Sequence, residues 1–293
     1  MDYSEKSYGR NEEISYLFSQ FDSDRDISMH GPRRLGKTFV LDRLVDVSAE
    51  RGWTAVKADL AGCTSGQAVF RELCARLGGA RSGGESAKLW FTQALGQLRE
   101  PKPSTDGPWY QPYVTLDHET YFERLVEAMH TDRRRRWVLL IDELPIFLKA
   151  LHDKGPDGIA AARDFMNLTN RLRERYRRVR WMVTGSIGIG PLAREGQYLG
   201  AMAKFQNFEL RPLDEKQAAD YVKDLATEGR LPHRRKISDP EAQALVRAVG
   251  WRAAYYLDAL AGKLEGDQTT EPEEADQIVE AAVDALLRPA EMA

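Results

Sequence analysis

The residues Gly31-Pro32-Arg33-Arg34-Leu35-Gly36-Lys37-Thr38 carry the spacing G-x-x-x-x-G-K-[ST], and each position has a task in holding a polyphosphate. Two glycines let the backbone curl so that successive N–H groups face an anion, and a helix that follows adds its own N-terminal N–H groups. Lys37 reaches the outer phosphates, and the Thr38 hydroxyl is a hard ligand for Mg²⁺. The stretch follows an apolar run, Ile27–His30, and continues into Phe39, Val40, Leu41, Leu44 and Val45, the strand-loop-helix setting that the motif requires. Gly31 to Phe39 is therefore expected to bind a nucleotide.

A second group of residues fits the same chemistry. Arg133 to Arg136 lead into Trp137-Val138-Leu139-Leu140-Ile141-Asp142-Glu143, a continuous apolar strand that ends in two carboxylates. Parallel strands deliver functional side chains at their carboxyl ends, so Asp142 is expected to hold the Mg²⁺ hydration shell and Glu143 to polarise a water against the γ-phosphate. Another strand ends in Met182-Val183-Thr184-Gly185-Ser186. The hydroxyls of Thr184 and Ser186 are candidates for sensing the γ-phosphate or the attacking water, against the plainer reading of a Gly-Ser turn. Arg194 is a candidate for reaching a phosphate in cis or a neighbour's site in trans.

Short apolar runs alternating with helically spaced stretches predict an α/β chain built on a parallel sheet. Five strands are expected, at Ile27–His30, Trp53–Asp59, Trp137–Asp142, Trp181–Thr184 and Phe205–Leu210. From Leu213 onward only helical spacing is found, so the expected division is an ATPase core over 1–211 and a small helical lid over 212–293. A surface insertion is expected at about 78–118, where small residues give way to a proline-rich stretch carrying Trp109, Tyr110 and Tyr113.

Composition sets the bounds. The 293 residues are 42% hydrophobic, 9% aromatic and 30% charged, which excludes disorder, collagen and coiled coil. With 42 basic and 45 acidic residues the net charge is −3, and no overall field draws the chain to nucleic acid or an anionic membrane. The basic runs Arg133 to Arg136, Arg171 to Arg180 and His233 to Lys236 read first as solvated faces or strand entries, and second as surfaces for DNA. Two cysteines, Cys63 and Cys74, give neither a disulfide framework nor a zinc site. The five histidines form no HExxH or HxxxH pair, so no catalytic metal besides Mg²⁺ is expected. No run approaches the roughly 18 apolar residues of a membrane span, and the N-terminus carries no signal sequence, so a cytoplasmic location is expected.

These motifs resemble the STAND branch of the AAA+-related P-loop ATPases, in particular the archaeal-type group that is similar to the origin-recognition ATPases. The resemblance begins at Tyr8-Gly9-Arg10-Asn11-Glu12-Glu13-Ile14, similar to a stretch that helps form the adenine pocket in that group, which puts Gly9 and Arg10 among the expected nucleotide contacts. It continues through the paired arginines Arg33 and Arg34, through Leu140-Ile141-Asp142-Glu143, and through Thr184-Gly185-Ser186 in the sensor position. Leu210-Arg211-Pro212-Leu213 resembles the hand-over to the helical lid. The chain departs at Gly250-Trp251-Arg252-Ala253-Ala254-Tyr255-Tyr256-Leu257, with Ala254 where the family's lid carries proline, which puts nucleotide contact from the lid in doubt. Family members commonly carry a winged helix, a nuclease-like domain or repeats after the lid, and the resemblance implies a nucleotide-driven engine whose usual output module is expected to be absent or reduced.

Taken together, the sequence predicts an Mg²⁺-dependent ATPase that couples ATP binding and hydrolysis to a conformational change or to assembly, with a homo-oligomer or another protein as partner. Two alternatives remain open. One is a slow-turnover nucleotide-binding signalling switch; the other is a DNA-binding or DNA-loading ATPase module. A small-molecule kinase fits less well, because an Asp-Glu pair suits water activation better than transfer to an acceptor.

Overall fold

A computed structural model of the chain describes residues 10–79, 118–227, 229, 231 and 235–287. Gly9, the 80–117 part of the expected insertion and residues 233 and 234 of the last basic run lie outside the described residues. The chain forms two compact units. One comprises Ile14–Gly31 and Lys37–Glu209; the other comprises Met1–Glu13, Pro32–Gly36 and Leu210–Ala293.

The first unit is a five-stranded, wholly parallel sheet with helices. Its strands are β1 (Ile27–His30), β2 (Thr54–Asp59), β3 (Trp137–Asp142), β4 (Val179–Thr184) and β5 (Gln206–Glu209), in the order β2-β3-β4-β1-β5. β3 and β4 are buried at every residue, which is why β3 reads as an unbroken apolar run: helices cover both faces of a parallel sheet, so neither face selects polar residues. The edge strand β5 instead alternates half-buried and exposed positions.

The helices of this unit are α1 (Asn11–Asp22), α2 (Lys37–Ser48), α3 (Gly66–Gly79), α4 (His118–Thr131), α5 (Leu144–His152), α6 (Pro156–Arg175), α7 (Ile189–Glu195) and α8 (Leu199–Met202), with the first residues of α1 assigned to the second unit. Their apolar stripes meet the sheet in one core that includes Phe70, Phe122, Trp137, Phe147, Met166 and Trp181. Each aliphatic or aromatic side chain fully buried there contributes about 1.5–3 kcal/mol. Phe122 and Trp181 also meet edge to face at 6.0 Å.

β4 begins two residues before the expected Trp181, and buried charge explains why. Arg180 is only 5% exposed and donates to the Asp24 carbonyl oxygen, while Asp26 accepts from the Arg173 guanidinium at 2.8 Å and from the Trp181 N–H at 2.9 Å. β5 is shorter than the expected Phe205–Leu210, because Phe205 turns inward beneath the Arg173 guanidinium, 3.6 Å from its ring centre.

The second unit holds α9 (Glu215–Thr227), α10 (Asp239–Val249), α11 (Ala254–Ala261) and α12 (Pro272–Leu287) around its own apolar core, among them Val222, Leu245, Leu257 and Val279. α10 starts with a capping box, in which the Ser238 hydroxyl accepts from the Glu241 N–H and the Glu241 carboxylate accepts from the Ser238 N–H. That carboxylate is fully buried and also takes bonds from Arg235 at 2.8 Å and from the Thr269 N–H at 3.2 Å. No helix among the described residues is long and apolar enough to cross a membrane.

Candidate active site

The strand order decides what can meet. β4 lies between β1 and β3, so the carboxyl ends of β1, β4 and β3 are neighbours on one rim of the sheet. Those ends carry the entry to the Gly31–Thr38 loop, the Thr184-Gly185-Ser186 turn and the Asp142-Glu143 pair, respectively.

The loop between β1 and α2 has the backbone that its sequence requires. Gly31 at φ 155° and Gly36 at φ 91° take conformations that cost glycine little, and Arg34 lies at φ 73°, in the left-handed region that arginine seldom adopts. Leu35 is 1% exposed and anchors the loop, whereas Pro32, Arg33 and Arg34 are exposed. Arg10, 3% exposed, bonds to Glu13 at 2.7 Å and donates to the Leu35 carbonyl oxygen at 3.3 Å. The Arg34 guanidinium lies 4.0 Å from the ring centre of Tyr255. Lys37, at the first position of α2, folds its ammonium onto the Gly31 carbonyl oxygen at 2.7 Å. Phe39 is half-buried on α2.

At the end of β3, Asp142 is 2% exposed, and the Thr38 hydroxyl donates to its Oδ2 at 2.9 Å across 104 residues of chain. Burial pushes the Asp142 carboxyl above its ordinary pKa, against the opposing pull of the Thr38 hydrogen bond and of the Lys57 charge. Glu143 sits in the left-handed region at φ 53°, ψ 34°, and Pro145 opens α5 just beyond it. Its Oε2 accepts two bonds from one residue, the Ser186 N–H at 2.8 Å and the Ser186 hydroxyl at 2.9 Å. The intervening Gly185 packs on the Pro145 ring so closely that a Cβ there would lie 2.3 Å from the proline Cδ.

Of the two sensor candidates, Ser186 thus meets Glu143, while Thr184 is 3% exposed and its hydroxyl has no hydrogen-bond partner among the described residues. Arg194 is exposed on α7. That helix is tied down by His152, whose ring nitrogens face Glu195 Oε2 and the Tyr198 hydroxyl, each at 3.1 Å. Burial raises the Tyr198 hydroxyl to about 12, so it stays protonated and hydrogen-bonding. The arginine-rich end of α6 and start of β4 is engaged internally: Arg173 pairs with Asp26, Arg175 with Glu123, and Arg178 donates to the Asp132 carbonyl oxygen. Arg136 pairs with Asp22 at 2.6 Å and lies over Trp53. Among the described residues no group of three or more His, Cys, Asp and Glu forms a metal cluster.

Three features of this arrangement were not part of the sequence-based site: the two bonds from Ser186 to Glu143, the Gly185–Pro145 contact, and Tyr255 against Arg34. Pro145, two residues after Glu143, was the one local signal for the second. The other two depend on residues far apart in sequence.

This sheet, with the Gly31–Thr38 loop before α2 and helices after β5, matches the fold of solved AAA+ P-loop ATPases. Solved structures agree. A Walker-type ATPase of Pyrococcus abyssi superposes with a TM-score of 0.60 at 13% identity, covering 96% of this chain and 71% of that one. The ORC2 protein of Aeropyrum pernix gives 0.55 at 11% identity, over 95% of this chain and 69% of that one. Cdc6p from Pyrobaculum aerophilum gives 0.54 at 14% identity, over 89% of this chain and 62% of that one. At these identities the likeness is one of fold. No protein-family model and no curated protein matches the sequence.

Proposed function

We propose that this protein binds ATP with Mg²⁺ and hydrolyses it, and that the nucleotide state drives a conformational change involving the helical unit or controls assembly with a further copy or another protein. The observation that carries this reading is the 2.9 Å bond between Thr38 Oγ1 and Asp142 Oδ2, which brings together a hydroxyl and a carboxylate from two separate motifs. Both are hard oxygen donors of the kind Mg²⁺ takes, and a cation would also relieve the cost of ionising the buried Asp142. Held by Thr38 and Asp142, Mg²⁺ would supply positive charge that offsets the charge developing on the phosphates in the transition state.

The chain's own residues supply the remaining parts. The N–H groups of the phosphate loop and of the first turn of α2 hold the phosphates, and the Lys37 ammonium exchanges the Gly31 carbonyl oxygen for phosphate oxygens. Glu143 takes a proton from water as its oxygen attacks the γ-phosphorus, and ADP departs with the bridging oxygen's electron pair. For that step Glu143 must exchange Ser186 for the water.

The same pair of bonds favours a second reading, a slow switch that holds nucleotide and signals by its occupancy. A general base already satisfied by a neighbour's N–H and hydroxyl turns over slowly until something draws that neighbour away. Both readings require nucleotide binding. Equilibrium titration with ATP and Mg²⁺ is expected to show saturable binding that Lys37→Ala weakens at least about tenfold, the loss of roughly 1.4 kcal/mol or more. Equal binding by wild type and variant would sink both readings.

A further inference from the structure

Arg34 stands out in the phosphate loop because its backbone is costly and its side chain is held. A non-glycine residue at φ 73° is strained, and such conformations persist where the surroundings over-determine them. Here the surroundings are aromatic. The guanidinium lies 4.0 Å from the ring centre of Tyr255 and 5.7 Å from that of Tyr256, both on α11 of the unit to which Pro32–Gly36 also belongs.

The aromatic group is itself braced. Tyr255 and Tyr256 meet edge to face at 5.4 Å, and Trp251 lies 5.5 Å from Tyr256. Below them, α11 is fixed by the Tyr221 hydroxyl donating to Asp258 at 2.9 Å, and the Arg252 stretch by paired bonds with Leu213, each at 3.0 Å. Tyr255 nevertheless remains 46% exposed and Trp251 40%. At the next residue of the loop, Arg10 donates to the Leu35 carbonyl oxygen. Two successive residues of the loop are thus held from outside it, Arg34 by its side chain and Leu35 by its backbone.

We propose that Tyr255 is a positioning residue for the phosphate cradle: its ring holds the Arg34 guanidinium and so keeps Arg34 in the left-handed conformation that turns the neighbouring N–H groups toward a phosphate. This assignment rests on the nucleotide-binding reading above. It gives the Ala254-Tyr255-Tyr256 stretch, where proline was expected, a task at the loop rather than at the nucleotide.

The test uses the full chain, ADP as the probe, and glycine as the rescue, because glycine adopts positive φ without help. Tyr255→Ala is expected to weaken ADP binding about three- to fivefold, the factor that corresponds to one cation–π contact at a partly exposed site. Tyr255→Phe, which keeps the ring, is expected to bind as wild type does. In an Arg34→Gly background, adding Tyr255→Ala is expected to change nothing further. An unchanged affinity in Tyr255→Ala overturns the proposal, and so does a loss that persists undiminished in the Arg34→Gly background, since the ring would then be touching the nucleotide itself. If wild type binds ADP no better than Lys37→Ala, the nucleotide reading fails, and the proposed coupling is decided by thermal unfolding. Arg34→Gly should then raise Tm more in the Tyr255→Ala background than in wild type, and an equal rise in both backgrounds overturns it.

Discussion

Ser186 gives both its N–H and its hydroxyl to a single oxygen of Glu143, at 2.8 and 2.9 Å. The acid expected to activate water is therefore restrained by the residue expected to sense the γ-phosphate. Removing the hydroxyl loosens the restraint and leaves the N–H in place. A hydrogen bond to a charged group contributes about 1.5–3 kcal/mol when buried, and at this half-exposed site about 1 kcal/mol is a fair figure. Ser186→Ala should therefore raise kcat roughly fivefold with KM unchanged. A fall in kcat would instead show that the hydroxyl stabilises the transition state directly.

Gly185 sets the angle at which Ser186 meets Glu143. A Cβ at this position would lie 2.3 and 2.6 Å from two carbons of the Pro145 ring, which cannot swing aside as a flexible side chain does. Gly185→Ala should cost about 1–3 kcal/mol of stability, read by denaturant unfolding, and should displace Ser186 from Glu143. Unchanged stability would mean that the β4 end and the start of α5 are looser than their packing indicates.

Burial raises the Asp142 carboxyl above the ordinary 3.8, so folding opposes its ionisation. Below about pH 3.8 the acid is protonated in both folded and unfolded chains, and the cost is absent; as pH rises through the folded-state value the cost appears and stability is lost. Asp142→Asn should accordingly melt higher than wild type near neutral pH and match it in acid, without added nucleotide. A difference in Tm that is constant with pH would show that ionisation is not its origin.

How much of this was legible beforehand follows from the range of each interaction. The strand, loop and helix around Gly31–Thr38 and the strand that ends at Asp142 could be read directly, because these elements are contiguous in sequence. The parallel sheet was readable for a similar reason: β3 announces burial on both faces by its composition. The sheet order was not, and it is the order that places β4 beside β3, with Ile141 opposite Val183, and so brings Ser186 to Glu143. The contact between Arg34 and Tyr255 joins residues whose separation no local spacing could reveal. Arg180 misled in the opposite direction, since an arginine at the start of β4 looks like a turn until Asp24 and Asp26 are seen to receive it.

Among the described residues of the helical unit, Arg235 and Glu241 form a buried ion pair. Glu241 is fully buried and joins Arg235, the Ser238 N–H and the Thr269 N–H. Glu241→Ala leaves the Arg235 guanidinium without its carboxylate and should cost about 3–5 kcal/mol, whereas Glu241→Gln, which keeps an acceptor, should cost less. Denaturation followed by helical circular dichroism reads both, and equal small losses would show that the pair is dispensable.

Phosphate release with ATP and Mg²⁺ decides whether Glu143 activates water against ATP bound at Gly31–Thr38. Wild type should turn over; Glu143→Gln should bind ATP yet release phosphate at least about a hundredfold more slowly, the usual contribution of a positioned base; and Lys37→Ala should do neither. Equal phosphate release by wild type, Glu143→Gln and Lys37→Ala would contradict the account.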